Sequence, residues 1–210
     1  MAELALAKQV PLHLSIDDTV IEKKKPSSQT KQPMEGTGWH YSHLAGKQVF
    51  GYQVFDANIS ASDVSLCYCL QQCCPENGSK IDMAVELLAS LPETDARVIF
   101  QMDSWYTCKR LWDKALEKGI TLIGNMKTNR ILYPDGHRRS AQNYVAMLPN
   151  DQYHLVTVDG HEYWIHRYKG ALNGIDKAAV LLSYPKNAFD NKRALRVFVW
   201  RAPKRLCKRE

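Results

Sequence analysis

The sequence predicts an α/β protein, a mixed sheet with flanking helices that gives way to a segment made almost entirely of strands. Three observations predict it. "ARVIFQM" is a nearly unbroken apolar run, the mark of a strand covered on both faces. An amphipathic stretch and a second apolar run, "ITLIGNM", follow directly, and this strand–helix–strand order implies a right-handed parallel crossover. Beyond Lys127, alternating runs are punctuated by Asp-Gly pairs, the signal of tight β-hairpins.

Taken in order, "PLHLSIDDTVIEK" alternates apolar and polar residues around β-branched side chains and reads as a strand over 11–22. "KKKPSSQTKQPMEGTG" is charged and carries Pro and Gly, so it is a loop. Residues 47–60 have strand character again, while 61–78 show no clear period and close on the turn "CPENGS". Ser79 is placed to cap the helix "KIDMAVELLASL", with Ile81, Ala84, Val85 and Leu88 at helical spacing and Pro92 beyond its end. The helix "YTCKRLWDKALEK" stops at Gly119. After it come a first hairpin in "ILYPDGHRRS", a second in "QYHLVTVDGHEYWIHRYKG", and the strands "KAAVLLSYP" and "ALRVFVW".

The length of 210 residues fits one domain, or one domain with an insertion, and 45% hydrophobic content is enough for a core. No apolar stretch approaches the roughly 20 residues that span a bilayer, and "MAELALAKQVPLHL" is too mixed for a secretory signal. We therefore expect an intracellular, cytoplasmic chain with no membrane partner. The 28 Lys and Arg against 22 Asp and Glu give a net charge of +6, which suits a polyanionic partner without specifying one. Four of the six cysteines crowd into "CYCLQQCC", but the spacing is not that of paired zinc knuckles and no second pair lies downstream. They read as buried thiols at the edge of an apolar segment.

Two places break the apolar pattern with acids. Asp17 and Asp18 end or interrupt the first strand, and Asp103 ends the buried run before "SWYT". Ligand sites in open α/β sheets collect at the carboxyl ends of strands. Carboxylates brought close there need a cation, and Mg²⁺ accepts one or two while keeping waters and phosphate oxygens. Two such ions can activate water and stabilise a leaving oxygen in phosphodiester cleavage. The plainer reading makes Asp17 and Asp18 a solvated strand end and Asp103 a helix cap. His40 and His43, three apart in "WHYSHL", have no acid or Cys beside them and read as core or hydrogen-bonding histidines. Ser104 lacks the Gly-x-Ser-x-Gly elbow of a nucleophile.

"SIDDTVIEKK", "GWHYSHLAGKQVFGYQV" and "MDSWYTCKRLWDKALEKGITLIGNMKTNR" resemble the catalytic region of DDE transposases of bacterial insertion sequences, over roughly residues 10 to 200. The resemblance implies a ribonuclease-H-like mixed sheet with a β-rich insertion after the second catalytic Asp. It matches Asp18, before Thr19, to the first catalytic acid, with Asp17 as its neighbour, and Asp103 to the second. It also implies two Mg²⁺ or Mn²⁺ ions on these acids, with water and then a DNA 3′-hydroxyl directed onto phosphodiester bonds. The implied partners are the terminal inverted repeats of a mobile element and target DNA, both double-stranded, in a bacterial, nucleoid-associated setting. A homodimer is implied for an active relative. The expected division is 1–127 for the first part of the catalytic core, 128–182 for the insertion, and 183–210 for a returning strand and basic tail. Lys127, Arg130, Arg138 and Arg139 become candidate phosphate contacts, against the alternative of a solvated basic hairpin. Trp164 becomes a candidate for stacking on a displaced base, against packing on its own sheet.

The family carries a third acid, a Glu on a late helix with Tyr, Arg and Lys at fixed spacing. After Leu182 no such helix is written: Glu162 sits in a hairpin, and Glu210 closes a tail carrying Arg201, Lys204, Arg205, Lys208 and Arg209. The reading at this level is a truncated or frameshifted end. Two functions follow, a transposase whose third acid comes from elsewhere, or an inactive fragment that retains DNA affinity.

Overall fold

The computed structural model describes residues 1–27, 34–74, 78–189 and 191–201. The chain divides into two compact units, Met1–Ile99 and a second beginning at Phe100. It is α/β, with strands in the majority and few, short helices.

The first unit opens on a short helix α1 (Ala2–Lys8), followed by β1 (Leu12–Glu22), β2 (Gly38–Ser42), β3 (Lys47–Ala61), β4 (Val64–Gln72), helix α2 (Lys80–Ser90) and the start of β5 (Val98–Met102). The 15-residue β3 is its backbone. It pairs antiparallel with β1 along one edge, and with β2 and β4 in succession along the other. Direct opposition puts Leu14 beside Ile59 and Ile16 beside Ala57, and all four are buried. The same face carries Phe55, fully buried opposite Asp18. Asp17 and Asp18 do not end β1, which continues to Glu22. What stops after Ile16 is the buried alternation, so the strand carries its two acids out of the core without losing its pairing.

Ser79 caps α2 as its position suggests. Its hydroxyl accepts the Asp82 N–H at 3.2 Å, and the Asp82 carboxylate accepts the Ser79 N–H at 2.9 Å, a reciprocal capping box. The buried stripe is Met83, Ala84, Leu87 and Leu88, rotated slightly from the expected one, so Ile81 and Val85 are only half-buried.

The segment without a clear period is a strand, β4, and its cysteines are not a buried cluster. Cys67 is exposed, while Cys69, Cys73 and Cys74 are intermediate, and all four are free thiols. The reason is position: β4 pairs β3 at the edge, where little lies over it, and even Leu70 is 70% exposed. Burial, then the neighbouring Cys67, pushes the Cys69 thiol up; burial, then the Asp18 charge, does the same to Cys73. These thiols are held in the protonated form, which is neither nucleophile nor good ligand. Cys207 lies outside the described residues.

In the second unit β5 leads to α3 (Lys109–Glu117), β6 (Thr121–Met126), β7 (Ile131–Leu132), β8 (Arg139–Ser140), helix α4 (Ala141–Val145), β9 (His154–Val158), β10 (His161–Leu172), β11 (Ile175–Pro185) and β12 (Arg196–Arg201). β5 and β6 are sheet neighbours with α3 between them in sequence. From β6 the order runs β12, β11, β10, β7, β8, with β9 also on β10. The pairings from β6 onward are antiparallel.

Helix α3 buries Leu111, Trp112 and Ala115 on one face. It ends in a Schellman arrangement: Gly119, at φ +70°, donates to Leu116 O at 3.0 Å, and Ile120 donates to Ala115 O at 2.8 Å. Both Asp-Gly hairpins form as the sequence predicts. Asp135 and Gly136, then Asp159 and Gly160, all have positive φ, the requirement of a turn that matches strand twist.

Candidate active-site carboxylates

Asp18 stands at the rim of the first unit's core. Its side chain is 16% exposed, on the same face as Phe55. Lys80, at the first position of α2, reaches it with Nζ 2.9 Å from both carboxylate oxygens. Gln53 Nε2 donates to Oδ2 at 2.9 Å. The sequence gives no local sign of this ion pair, since the partners are 62 residues apart. Only the cap at Ser79 fixes where α2 begins, and so where Lys80 projects.

Asp17 points to the other face, where it is exposed and directly opposite Asp56. Asp56 holds an Asn58 amide at 2.6 Å. Burial, then the Asp17 charge, raises the Asp56 carboxyl above its ordinary range, with Asp18 adding to the effect. A folded-state pKa raised above the unfolded value means that this group favours folding most at acid pH. That contribution is lost as pH rises through the folded-state value. At neutral pH the ionised Asp56 therefore costs stability. Asp56→Asn, which keeps an acceptor for Asn58, should stabilise the protein at neutral pH by about 0.2–1 kcal/mol, the usual scale for opposed like charges. Urea melts across acid to neutral pH should show the gain shrinking toward acid pH.

Asp103 follows β5 immediately and is exposed. Its Oδ1 accepts the N–H of Trp105 at 2.8 Å and of Tyr106 at 3.3 Å. It therefore caps the turn after the strand rather than α3, whose N-cap is Cys108. Oδ2 has no protein partner among the described residues. The turn is fastened beneath: Tyr106 and Thr107 are buried, and the Thr107 hydroxyl donates to Asn125 O at 2.8 Å on β6. Gly124 makes that approach possible, because a Cβ there would sit 2.9 Å from Thr107 Oγ1 and 3.3 Å from Met102 Cε.

The expected DNA contacts occupy varied settings. Lys127 is exposed, with Nζ 5.8 Å from the centre of the Trp105 ring. Arg130 is half-buried and donates to Thr107 O at 3.3 Å, which turns its guanidinium toward the protein. Arg138 is exposed and Arg139 half-buried, opposite Leu132 in the first hairpin. Trp164 is half-buried, and its ring lies 5.7 Å from Phe189. Glu162 is ion-paired with Lys186 at 2.8 Å. His43 packs edge-on against Tyr41 at 5.1 Å. The basic tail beyond Arg201, with Glu210, lies outside the described residues.

Among the described residues no group of three or more His, Cys, Asp or Glu side chains is arranged to hold a metal ion. In donor type the two acids suit Mg²⁺ or Mn²⁺, which prefer hard oxygen ligands and take one or two carboxylates. Asp103 offers an open oxygen. At Asp18 the Lys80 ammonium stands where a cation would bind. No described helix is long and apolar enough to cross a membrane.

No protein-family model and no curated protein matches the chain. Among solved structures, it is similar to a piggyBac transposase seen by cryo-EM in a synaptic complex with hairpin DNA. The identity is 14% and the TM-score 0.44. The likeness covers 90% of this chain and 32% of the transposase chain.

Proposed function

We propose that the chain is built for metal-dependent DNA strand cleavage and transfer of the DDE-transposase type, on a ribonuclease-H-like core, with Asp18 and Asp103 as its acids. The observation that carries this reading is Asp103. A carboxylate placed directly after a buried strand, held through one oxygen by two backbone amides and open at the other, is pre-oriented for a cation or a reacting water. The sequence resemblance to insertion-sequence transposases supports the same assignment and adds DNA as substrate. Asp18 and Asp103 would hold Mg²⁺ or Mn²⁺, which when bound supplies an acidified water and neutralises charge on phosphodiester oxygens. The protein's own part is to fix the Asp103 oxygen through the 103–107 turn and to release Asp18 from Lys80. Lys127, Arg138 and Arg139 would meet phosphates.

A second reading, DNA affinity without catalysis, is favoured by one observation: Lys80 already neutralises Asp18 through both its oxygens. Incubation with supercoiled plasmid in millimolar Mn²⁺ separates the two. The catalytic reading expects nicked circles from the wild type and none from Asp103→Asn. Binding that weakens with salt but never nicks the plasmid would select the second reading.

A further inference from the structure

We infer that one face of the second unit's sheet is a docking surface for an acidic amphipathic helix, with an apolar floor on β11 and β12 and a basic border on β10. It goes beyond the DNA reading and stands without it. The strand register separates the two faces. Val180 and Leu182 of β11, with their partners Val199 and Val197 of β12, lie on one face and are buried. Leu181 and Phe198, directly opposed on the other face, are only half-buried. So are Ala179 and, on β6, Ile123. An apolar sheet face is stabilised by a second layer packed on it, and in α/β folds that layer is helical.

The charge on this face selects the partner. Arg167 stands in register opposite Leu181 and Lys169 opposite Ala179, so both cations border the floor from β10, and both are exposed. Arg167 is held over the face, its guanidinium 5.6 Å from the centre of the Trp200 ring, and Trp200 pairs with Ala179. Arg196, opposite Ser183, adds a third positive charge and donates to the Arg193 and Leu195 carbonyls. The stretches that form the face, Tyr163–Lys169, Ala179–Ser183 and Arg196–Trp200, contain no Asp or Glu. Spacing favours a helix as the acidic partner. Two residues along a strand span about 7 Å, and positions i and i+4 of a helix lie about 6 Å apart along its axis. Acids at i and i+4 therefore meet Arg167 and Lys169 together, while an apolar stripe beside them covers Leu181 and Phe198. Duplex DNA offers charges for the cations but no apolar surface for the floor.

The test is fluorescence anisotropy of the full chain with three labelled synthetic peptides. One is a Leu-striped helix with Glu at i and i+4 along one border, the second carries Lys in place of Glu, and the third scrambles the stripe at constant composition. The Glu-bordered peptide should bind wild type and gain helix on binding, and the other two should bind at least about tenfold more weakly. The double variant Arg167→Glu, Lys169→Glu should lose about tenfold or more for the Glu-bordered peptide, because like charges then face each other. The same variant should bind the Lys-bordered peptide better than wild type does, a reversal that a misfolded protein would not give. Wild-type affinity that is equal for the striped and scrambled peptides, or unchanged in the double variant, overturns the docking surface. Duplex DNA that displaces the Glu-bordered peptide, and itself binds the double variant about tenfold more weakly, also overturns it and assigns the face to nucleic acid.

Discussion

Asp103→Asn should abolish Mn²⁺-dependent nicking while leaving the fold almost untouched. The amide oxygen of Asn can accept the Trp105 and Tyr106 N–H groups as Oδ1 does now, so the turn that caps β5 survives. What disappears is the negative charge at the open oxygen. Removing one member of a catalytic group that acts as a unit commonly costs three or more orders of magnitude in rate, about 4 kcal/mol or more of barrier. Asp103→Ala makes the contrast. It removes the acceptor as well as the charge, and should add about 1 kcal/mol of destabilisation from the two stranded amides, which water partly satisfies at this exposed position. Nicking rate and melting temperature measured on the same preparations separate the charge from the cap. A nicking activity that persists in Asp103→Asn would remove Asp103 from the chemistry.

The second large effect lies at Lys80. Taking one partner from a buried ion pair typically costs about 3–5 kcal/mol, because the remaining charge is left uncompensated. Here the side chains keep 21% and 16% exposure and Gln53 still donates to Asp18, so about 2–3 kcal/mol is expected for Lys80→Met. The divalent ion should then replace the lost ammonium. Mn²⁺ should raise the melting temperature of Lys80→Met well above its effect on wild type, since binding only the folded state adds about 2.7 kcal/mol at a hundredfold excess over Kd. Combining Lys80→Met with Asp18→Asn removes both charges. That variant should regain stability and lose its response to Mn²⁺. If Mn²⁺ stabilises Lys80→Met no more than wild type, Asp18 is a structural partner of Lys80 and the non-catalytic reading gains.

Much of this architecture is legible in the residues because the strongest patterns are local. The runs around Ile99 and Leu122, the Ser79 box, the Gly119 stop and the two Asp-Gly turns each satisfy backbone geometry within a few residues, and the structure keeps them. Strand β4 is the counter-example. Its uncharged run "VSLCYCLQQ" has strand composition but no buried face, since the partner that makes it a strand is β3, and an edge position leaves its thiols half in water. The small helix α1 and the five-residue β2 are likewise held by neighbours rather than by their own period. The same division runs through the site. Asp103 announces itself by breaking an apolar run, but the Lys80 contact that decides how Asp18 behaves is a long-range pairing with no local trace. Trp164, the aromatic the hairpin pattern brings forward, is half-buried with its ring 5.7 Å from Phe189.

The most direct measurement of the central claim is a Mn²⁺ titration by calorimetry on wild type, Asp18→Asn and Asp103→Asn, each checked for a native melt. A carboxylate lost from a small ligand set should weaken the ion by about tenfold or more. Both variants should show that loss. Equal Mn²⁺ affinity in all three proteins would contradict it.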